Sequence, residues 1–245
     1  MSTPFEPCCL ATTIGSLPHT DPVRGTALMF TYTPEIPAWV QFPKRAAQEN
    51  MMIQFTEGLP GLVDDGERVY FDTAAPDLTE QLTDFYARYL AAAEDGDAAA
   101  LDAFGLSSEY AAGFGEFIAQ LPNQPSPVAL KGQVTGPFTL GTNLTDQDRR
   151  CAYYDETLHD VIVKTVALKA LWQIARLKPF CPRVLIFLDE PSLLGFGSQT
   201  FITVSREHVI RDINEVVAVI HAQGALAGVH CEANTDWSLL METDL

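Results

Sequence analysis

The residues best suited to chemistry form one short segment, His230-Cys231-Glu232, which directly follows the apolar run 225–229. Imidazole, thiolate and carboxylate groups all bind zinc, and a catalytic zinc site keeps one coordination position open. If the run is a strand, His230 and Glu232 share a face and Cys231 points away, unless the strand has already broken at His230. These three residues therefore predict a metal site. The residue types alone leave open a buried histidine and cysteine beside a solvated glutamate.

A second segment, Asp189-Glu190-Pro191, places two carboxylates at the end of the apolar run 184–188. Paired acids at a strand end can bind a cationic group such as an ammonium, and their repulsion shifts their pKa values. Asp189 and Glu190 are therefore the candidate catalytic residues. The alternative is that one of the acids caps the N-terminus of a helix.

Three further signals are weaker. The turn formed by Ile14, Gly15 and Ser16 offers backbone N–H groups and a hydroxyl to a carboxylate or phosphate. Glu57 is a lone acid that follows the apolar run 51–55. The glycines within 131–137 permit a ligand to approach the backbone closely. Ordinary turns or bends would explain each of these features as well.

The elements that must position these residues alternate along the chain. Apolar, β-branched runs that suit buried parallel strands cover 8–14, 51–55, 128–134, 184–188 and 225–229. Helical spacing begins at Asp21-Pro22 and recurs over 78–89, 110–118, 158–175 and 209–220, where Gly224 ends the last helix. This alternation predicts an α/β fold whose strand ends carry the polar residues, as in a (β/α)₈ TIM barrel.

A complete barrel needs eight strands, and the sequence shows five, with 243–245 as the approach to a sixth. Either the chain is truncated after the fifth strand or strands lie unnoticed within 57–126. We favour truncation, and so expect a single domain over 1–245 that forms a barrel incomplete at its C-terminus. An unclosed barrel exposes sheet edges and apolar surface, which favours a homo-oligomer.

Composition excludes several classes of protein. The chain has 15 Lys and Arg against 32 Asp and Glu, a net charge of −17. This charge argues against binding to nucleic acid or to an anionic membrane surface. No apolar run approaches the roughly 20 residues of a membrane helix, and the N-terminus does not resemble a signal peptide. Five scattered cysteines indicate reduced thiols, so we expect a cytoplasmic protein.

Five motifs, taken in order, resemble the catalytic domain of the cobalamin-independent methionine synthases: TTIGSLPH, FTEG, KGQVTGPFTLG, LIFLDEP and GVHCEANTDW. The resemblance covers nearly the whole chain and is closest to the short methionine synthase II-like proteins. More broadly, it extends to the superfamily shared with uroporphyrinogen decarboxylase. It implies a (β/α)₈ barrel whose zinc ion activates the homocysteine thiol. The thiolate then attacks the methyl group of a methyl-folate or a methyl-corrinoid, the latter carried by a corrinoid protein.

The resemblance also assigns residues to the substrate. Ile14, Gly15 and Ser16 match the turn that holds the homocysteine carboxylate. Glu57 and Asp189 match the acids that contact its ammonium group. The implied partner is therefore a small-molecule thiol with an amino-acid end.

The metal ligands depart from the family pattern. His230 matches the first zinc ligand, but the family places a cysteine two residues later, where this chain has Glu232. Cys231 lies between them, and the family's remaining acid and cysteine ligands come from beyond the fifth strand. The resemblance therefore implies a zinc-dependent methyltransferase with an altered ligand set of His230, Cys231 and Glu232.

Two other functions stay open at this point. A degenerate relative that binds a small molecule without catalysis would explain the altered ligands. A decarboxylase of the uroporphyrinogen type is disfavoured, because acidic strand ends do not suit a substrate that carries many carboxylates.

Overall fold

The computed structural model describes residues 5–201, 203–232 and 234–245, with the backbone alone at residue 200. The helices are α1 Pro22–Tyr32, α2 Met51–Gln54, α3 Leu78–Ala93, α4 Ala98–Asp102, α5 Ala112–Gln120, α6 Pro137–Asn143, α7 Glu156–Leu177, α8 Arg206–Ala222 and α9 Trp237–Leu240. The strands are β1 Leu62–Asp64, β2 Val69–Phe71, β3 Leu130–Thr135, β4 Val184–Asp189 and β5 Leu226–His230. The protein is thus a mixed α/β chain, as predicted.

The main sheet is parallel, in the order β3-β4-β5. Two extended segments continue it beyond β3 through single parallel bridges, one between Ala38 and Lys131 and one between Ser16 and Gln41. The neighbours in this sheet therefore follow the order of the sequence. Helix α7 packs against β3 and β4, and α8 packs against α7 and β5.

Three strand predictions and the helix predictions are confirmed. The runs 128–134, 184–188 and 225–229 form β3, β4 and β5 within two residues of the predicted bounds. The Asp21 carboxylate caps α1 by accepting hydrogen bonds from the backbone N–H groups of Val23 and Arg24. Gly224 follows α8 with a φ of 64°, a left-handed conformation that glycine adopts at low cost.

The strand predicted over 8–14 is wrong. Cys8 and Cys9 are exposed and have positive φ values of 46° and 58°, so the chain turns where the strand was expected to begin. The backbone N–H of Leu10 closes this turn on the carbonyl of Pro7 at 2.8 Å. Residues 10–14 then run without a strand partner in the described chain, and pairing begins only at Gly15.

The strand predicted over 51–55 is also wrong, because Met51–Gln54 forms α2. Asn50 caps this helix through the backbone N–H of Met52, and a short apolar run does not by itself distinguish a helix from a strand. Residues 243–245, expected to lead towards a sixth strand, follow α9 in a turn in which the Thr243 N–H donates to the Leu240 carbonyl.

Two pairing elements were not predicted. Strands β1 and β2 lie within 57–126, where unnoticed strands were the alternative to truncation, but they form a separate antiparallel hairpin and do not extend the parallel sheet. Residues 38–42 form the buried segment beside β3, although their apolar run between two prolines was a visible signal. The described chain therefore shows a parallel sheet against which α7 and α8 pack, and these residues do not form a closed barrel. None of its helices is long and apolar enough to cross a membrane.

The helix layer contains a buried polar cluster beside a cleft of about 460 Å³ between α7 and α8. The Asp212 carboxylate, 2% exposed, lies 2.7 Å from both the Tyr153 hydroxyl and His159 Nε2. Arg211 binds its other oxygen at 3.2 Å. This carboxylate ties the 3₁₀ turn before α7 to α8.

We expect Asp212→Ala to lower the free energy of unfolding by about 1–3 kcal/mol or more, because it leaves Tyr153 and His159 without their acceptor. Urea denaturation measures this effect. Glu215→Gln is the control, because this half-exposed residue contributes only a surface ion pair with Lys164. An equal, small effect of both substitutions would contradict the prediction.

Candidate functional site

A cleft of about 260 Å³ lies at the carboxyl ends of the parallel strands. Its lining residues are Ile14, Ser16, Gln41, Met51, Asp189, Pro191, His230 and Glu232. Five of the residues predicted from the sequence as functional thus meet in one place, although they are spread over more than 200 positions of the chain. The exceptions are Gly15, which lies between two lining residues, and Glu57, Glu190 and Cys231.

The strand register explains this convergence. In the parallel sheet, Thr135, Asp189 and His230 are direct neighbours on β3, β4 and β5. Because each is the last residue of its strand, their side chains share one end and one face of the sheet. Glu232 follows His230 by two positions and reaches the same cleft.

Asp189 is the most unusual group in this cleft. Its side chain is buried, with the whole residue 4% exposed, yet its Oδ1 accepts no hydrogen bond from any described residue. The imidazole of His230 lies beside it, with Nδ1 3.3 Å from Oδ1, but the two atoms do not meet hydrogen-bond geometry. A buried carboxylate oxygen without a donor is costly, and it marks a place where a ligand can donate.

The Asp189 carboxylate also acts on its neighbour. Interaction with Asp189 raises the pKa of His230, against the lowering effect of partial burial. Nδ1 is the ring nitrogen that faces the carboxylate, so Nε2 is the ring nitrogen left to bind another group.

The Gly15–Ser16 turn contributes another part of the cleft, which Ile14 and Ser16 line. Gly15 has a φ of +143°, and an added Cβ would lie only 2.8 Å from Gln133 Nε2, so the position requires glycine. The Ser16 hydroxyl donates to Gln41 Oε1 at 3.2 Å. The Ser16 backbone N–H donates to no described residue, whereas the flanking Leu17 N–H and Gly15 carbonyl are used in pairing with Gln41.

Glu57 lies elsewhere. It lines a separate cleft of about 190 Å³ with Leu59, Asp64 and Tyr110 among others, and its carboxylate accepts from the Ser107 N–H at 2.8 Å. The misplaced strand over 51–55 explains the difference. Since α2 replaces that strand, the residue that follows it does not end at the mouth of the parallel sheet.

Glu190 serves the helix-capping role that the sequence left open. It is fully buried, and its two oxygens accept from the backbone N–H groups of Phe138 and Thr139, at 3.0 and 2.7 Å, in the first turn of α6. Burial raises the pKa of Glu190 to about 7, although these hydrogen bonds oppose the change. The two adjacent acids thus have separate roles, and only Asp189 lines the cleft.

Cys231 does not line the cleft with its two neighbours. It packs against the hydrophobic core, and its Sγ lies 3.6 Å from the Glu190 carbonyl oxygen. Burial raises the pKa of its thiol to about 11, so the thiol stays protonated at neutral pH. Strand β5 ends at His230, and the Cys231 side chain lies outside the cleft that His230 and Glu232 line, which is the side that strand alternation predicts.

These positions do not fit the zinc site implied by the resemblance. Zinc binding by these three residues needs the Cys231 thiolate beside His230 and Glu232, but Cys231 packs against the hydrophobic core and does not line the cleft with them. Within 5–201, 203–232 and 234–245, no three His, Cys, Asp or Glu side chains come close enough together to hold a metal ion. Zinc binding by His230, Cys231 and Glu232 stays a prediction of the sequence.

Lys131 is a residue of this region that the sequence reasoning did not single out. It lies on β3, on the same face as Thr135, and is 1% exposed. A lysine at the start of an apolar strand was a visible signal, because lysine is rarely buried without a specific partner.

Comparisons with protein-family models, with curated proteins and with solved structures find no match for this chain.

Proposed function

We propose that the strand-end cleft binds the amino-acid end of a small thiol such as homocysteine, and that the protein is a methyltransferase acting on that thiol. The observation that carries this proposal is the buried Asp189 Oδ1, which lines the cleft without a hydrogen-bond donor. A ligand ammonium supplies such donors, and charge-assisted hydrogen bonds of this kind are the strong ones. We also propose that the domain is a (β/α)₈ barrel, and the parallel main sheet supports this fold.

Each end of the ligand has a matching wall. The ammonium lies between Asp189 and Glu232, and the carboxylate lies at the Gly15–Ser16 turn, where the Ser16 N–H is unused. A cleft with acceptors at one end and donors at the other suits an α-amino acid and fixes its direction.

His230 has a defined part in this arrangement. With Nδ1 turned to Asp189, the free Nε2 can accept the thiol proton, and the thiolate is the nucleophile toward a methyl donor. In this step the S–H bond breaks and the proton moves to Nε2, so charge is conserved. In the transfer step the S–C bond forms while the bond between the donor and its methyl group breaks, and the demethylated donor leaves with that electron pair. No step of this proposal passes through a metal ion, because the ligand set does not fit one.

Two measurements test the proposal. The first is methyl transfer to L-homocysteine, with methylcobalamin and methyl-folate as alternative donors, in wild type and His230→Gln. Product formation that falls at least about tenfold in the variant supports a general base. Absence of methionine with both donors would overturn the methyltransferase assignment.

The second measurement is metal content by plasma mass spectrometry. The geometry predicts a chain that binds homocysteine when zinc-free. One zinc per chain that is lost in both His230→Ala and Glu232→Ala would instead confirm the ligands predicted from the sequence, and would contradict the metal-free geometry.

A non-catalytic amino-acid-binding protein is the second candidate function. The position of Cys231 outside the cleft favours it, since the family chemistry needs a cysteine ligand at the site. Homocysteine binding without methyl transfer from either donor would support this candidate. A porphyrinogen decarboxylase has no such support, because Asp189 and Glu232 would repel a polycarboxylate.

A further inference from the structure

We propose that Lys131 is a positioning residue that makes this cleft select an amino-acid zwitterion over a simple amine. The inference rests on the proposed function, and it explains why the cleft favours a ligand that carries a carboxylate as well as an ammonium group. Lys131 lies below the cleft, on the face of the sheet that carries Asp189 at its end.

The contacts of Lys131 link it to the turn that faces Asp189. Its Nζ donates to the Ile14 carbonyl oxygen at 2.8 Å and lies 3.4 Å from Gln133 Oε1. The Phe187 ring lies beside it, with the ring centroid 4.8 Å from Nζ. The ammonium of Lys131 therefore holds Ile14, the residue that precedes the Gly15–Ser16 turn.

The charge of Lys131 is only partly compensated. It forms no ion pair with a carboxylate of the described residues, and its acceptors are neutral. Asp189 is the charged group that acts on it, and it opposes the burial that lowers the pKa of Lys131 to about 8. At pH 7 the buried side chain is therefore mostly cationic.

This placement gives the cleft two electrostatic ends. The positive end lies under the Ile14–Ser16 wall, and the negative end is formed by Asp189 and Glu232. A zwitterion satisfies both ends, whereas an amine gains the attraction of the carboxylates and meets the repulsion of Lys131 with no carboxylate of its own to offset it.

Lys169 offers a matched control. It is the other fully buried lysine among the largest buried side chains, and burial lowers its pKa to about 8 as well. Its Nζ lies 3.4 Å from the carbonyl oxygens of Phe104 and Gly105, and the residue lies on α7, outside the cleft lining. The substitution Lys169→Met therefore removes a buried charge at a position that does not contact the proposed ligand.

The test compares two reduced ligands by calorimetry: L-homocysteine and 3-aminopropane-1-thiol, which lacks the carboxylate. The measured quantity is the ratio of their Kd values in wild type, Lys131→Met, Lys131→Arg and Lys169→Met. We expect wild type to prefer homocysteine, and Lys131→Met to reduce that preference roughly tenfold. Lys131→Arg should retain part of it, and Lys169→Met should leave the ratio unchanged.

The outcomes separate the inference from the proposed function. Equal affinity of wild type for both ligands would overturn the role of Lys131 and leave the ammonium site standing. An unchanged ratio in Lys131→Met, or the same change in Lys169→Met, would also overturn it, since the effect would then be absent or merely structural. Binding of neither ligand by wild type would overturn the proposed function and this inference together. Thermal denaturation shows that each variant is folded, and Lys131→Arg keeps the test valid if the Met variant is not.

Discussion

Substitution Asp189→Asn is expected to weaken binding of L-homocysteine by about 10- to 100-fold. A hydrogen bond to a charged group contributes about 1.5–3 kcal/mol, and each 1.4 kcal/mol corresponds to about tenfold in Kd. The expectation depends on the buried Oδ1, which has no donor among the described residues. Asparagine keeps the shape of the side chain, so the change removes the charge with little repacking. Calorimetric titration of both proteins gives the ratio.

Glu232→Gln is the matched control for this prediction. Glu232 lines the same cleft but is exposed, and exposed charges contribute roughly 0–1 kcal/mol. We therefore expect an affinity loss of a few-fold at most. Equal losses of homocysteine affinity in the two variants would show that the burial of Asp189 does not determine the strength of binding.

The second large effect concerns stability at alkaline pH. Between about pH 8 and 10.5, wild type should gain about 3 kcal/mol of unfolding free energy relative to Lys169→Met. Burial lowers the pKa of Lys169 from 10.5 to about 8, so in this window the unfolded chain binds more protons than the folded one. Stability contributed by this residue therefore rises with pH, and a methionine cannot titrate.

Urea unfolding of both proteins at several pH values from 7 to 10.5 measures this difference. Other groups that titrate in the window, Lys131 and the tyrosines among them, are common to both proteins and largely cancel. A stability difference that stays constant over the window would show that Lys169 has an ordinary pKa in the folded chain.

The fold was predictable where a run of residues had a clear period and clear ends. Strands β3, β4 and β5 are apolar runs closed by polar or glycine residues, and α7 has apolar residues at helical spacing over most of its length. The errors fell on short segments whose structure depends on distant partners. Residues 8–14 turn at Cys8 and Cys9, and 51–55 follow a helix cap at Asn50.

The candidate site was predictable to the extent that it depends on strand ends. Asp189 and His230 meet because parallel strands bring their last residues together. Glu57 was misplaced because the element before it was misassigned. The direction of the Cys231 side chain depends on where β5 ends. The contact of Lys131 with Ile14 joins residues that are 117 positions apart in the chain, so no local pattern predicts it.

The proposal is tested most directly by titrating L-homocysteine into the metal-free wild-type protein, after treatment with a chelator, and following the heat. We expect saturable binding at one site per chain in wild type, and binding weakened by about 10- to 100-fold in Asp189→Asn. Binding that appears only after zinc is restored, or that Asp189→Asn retains in full, would contradict a cleft built around the buried Asp189 carboxylate.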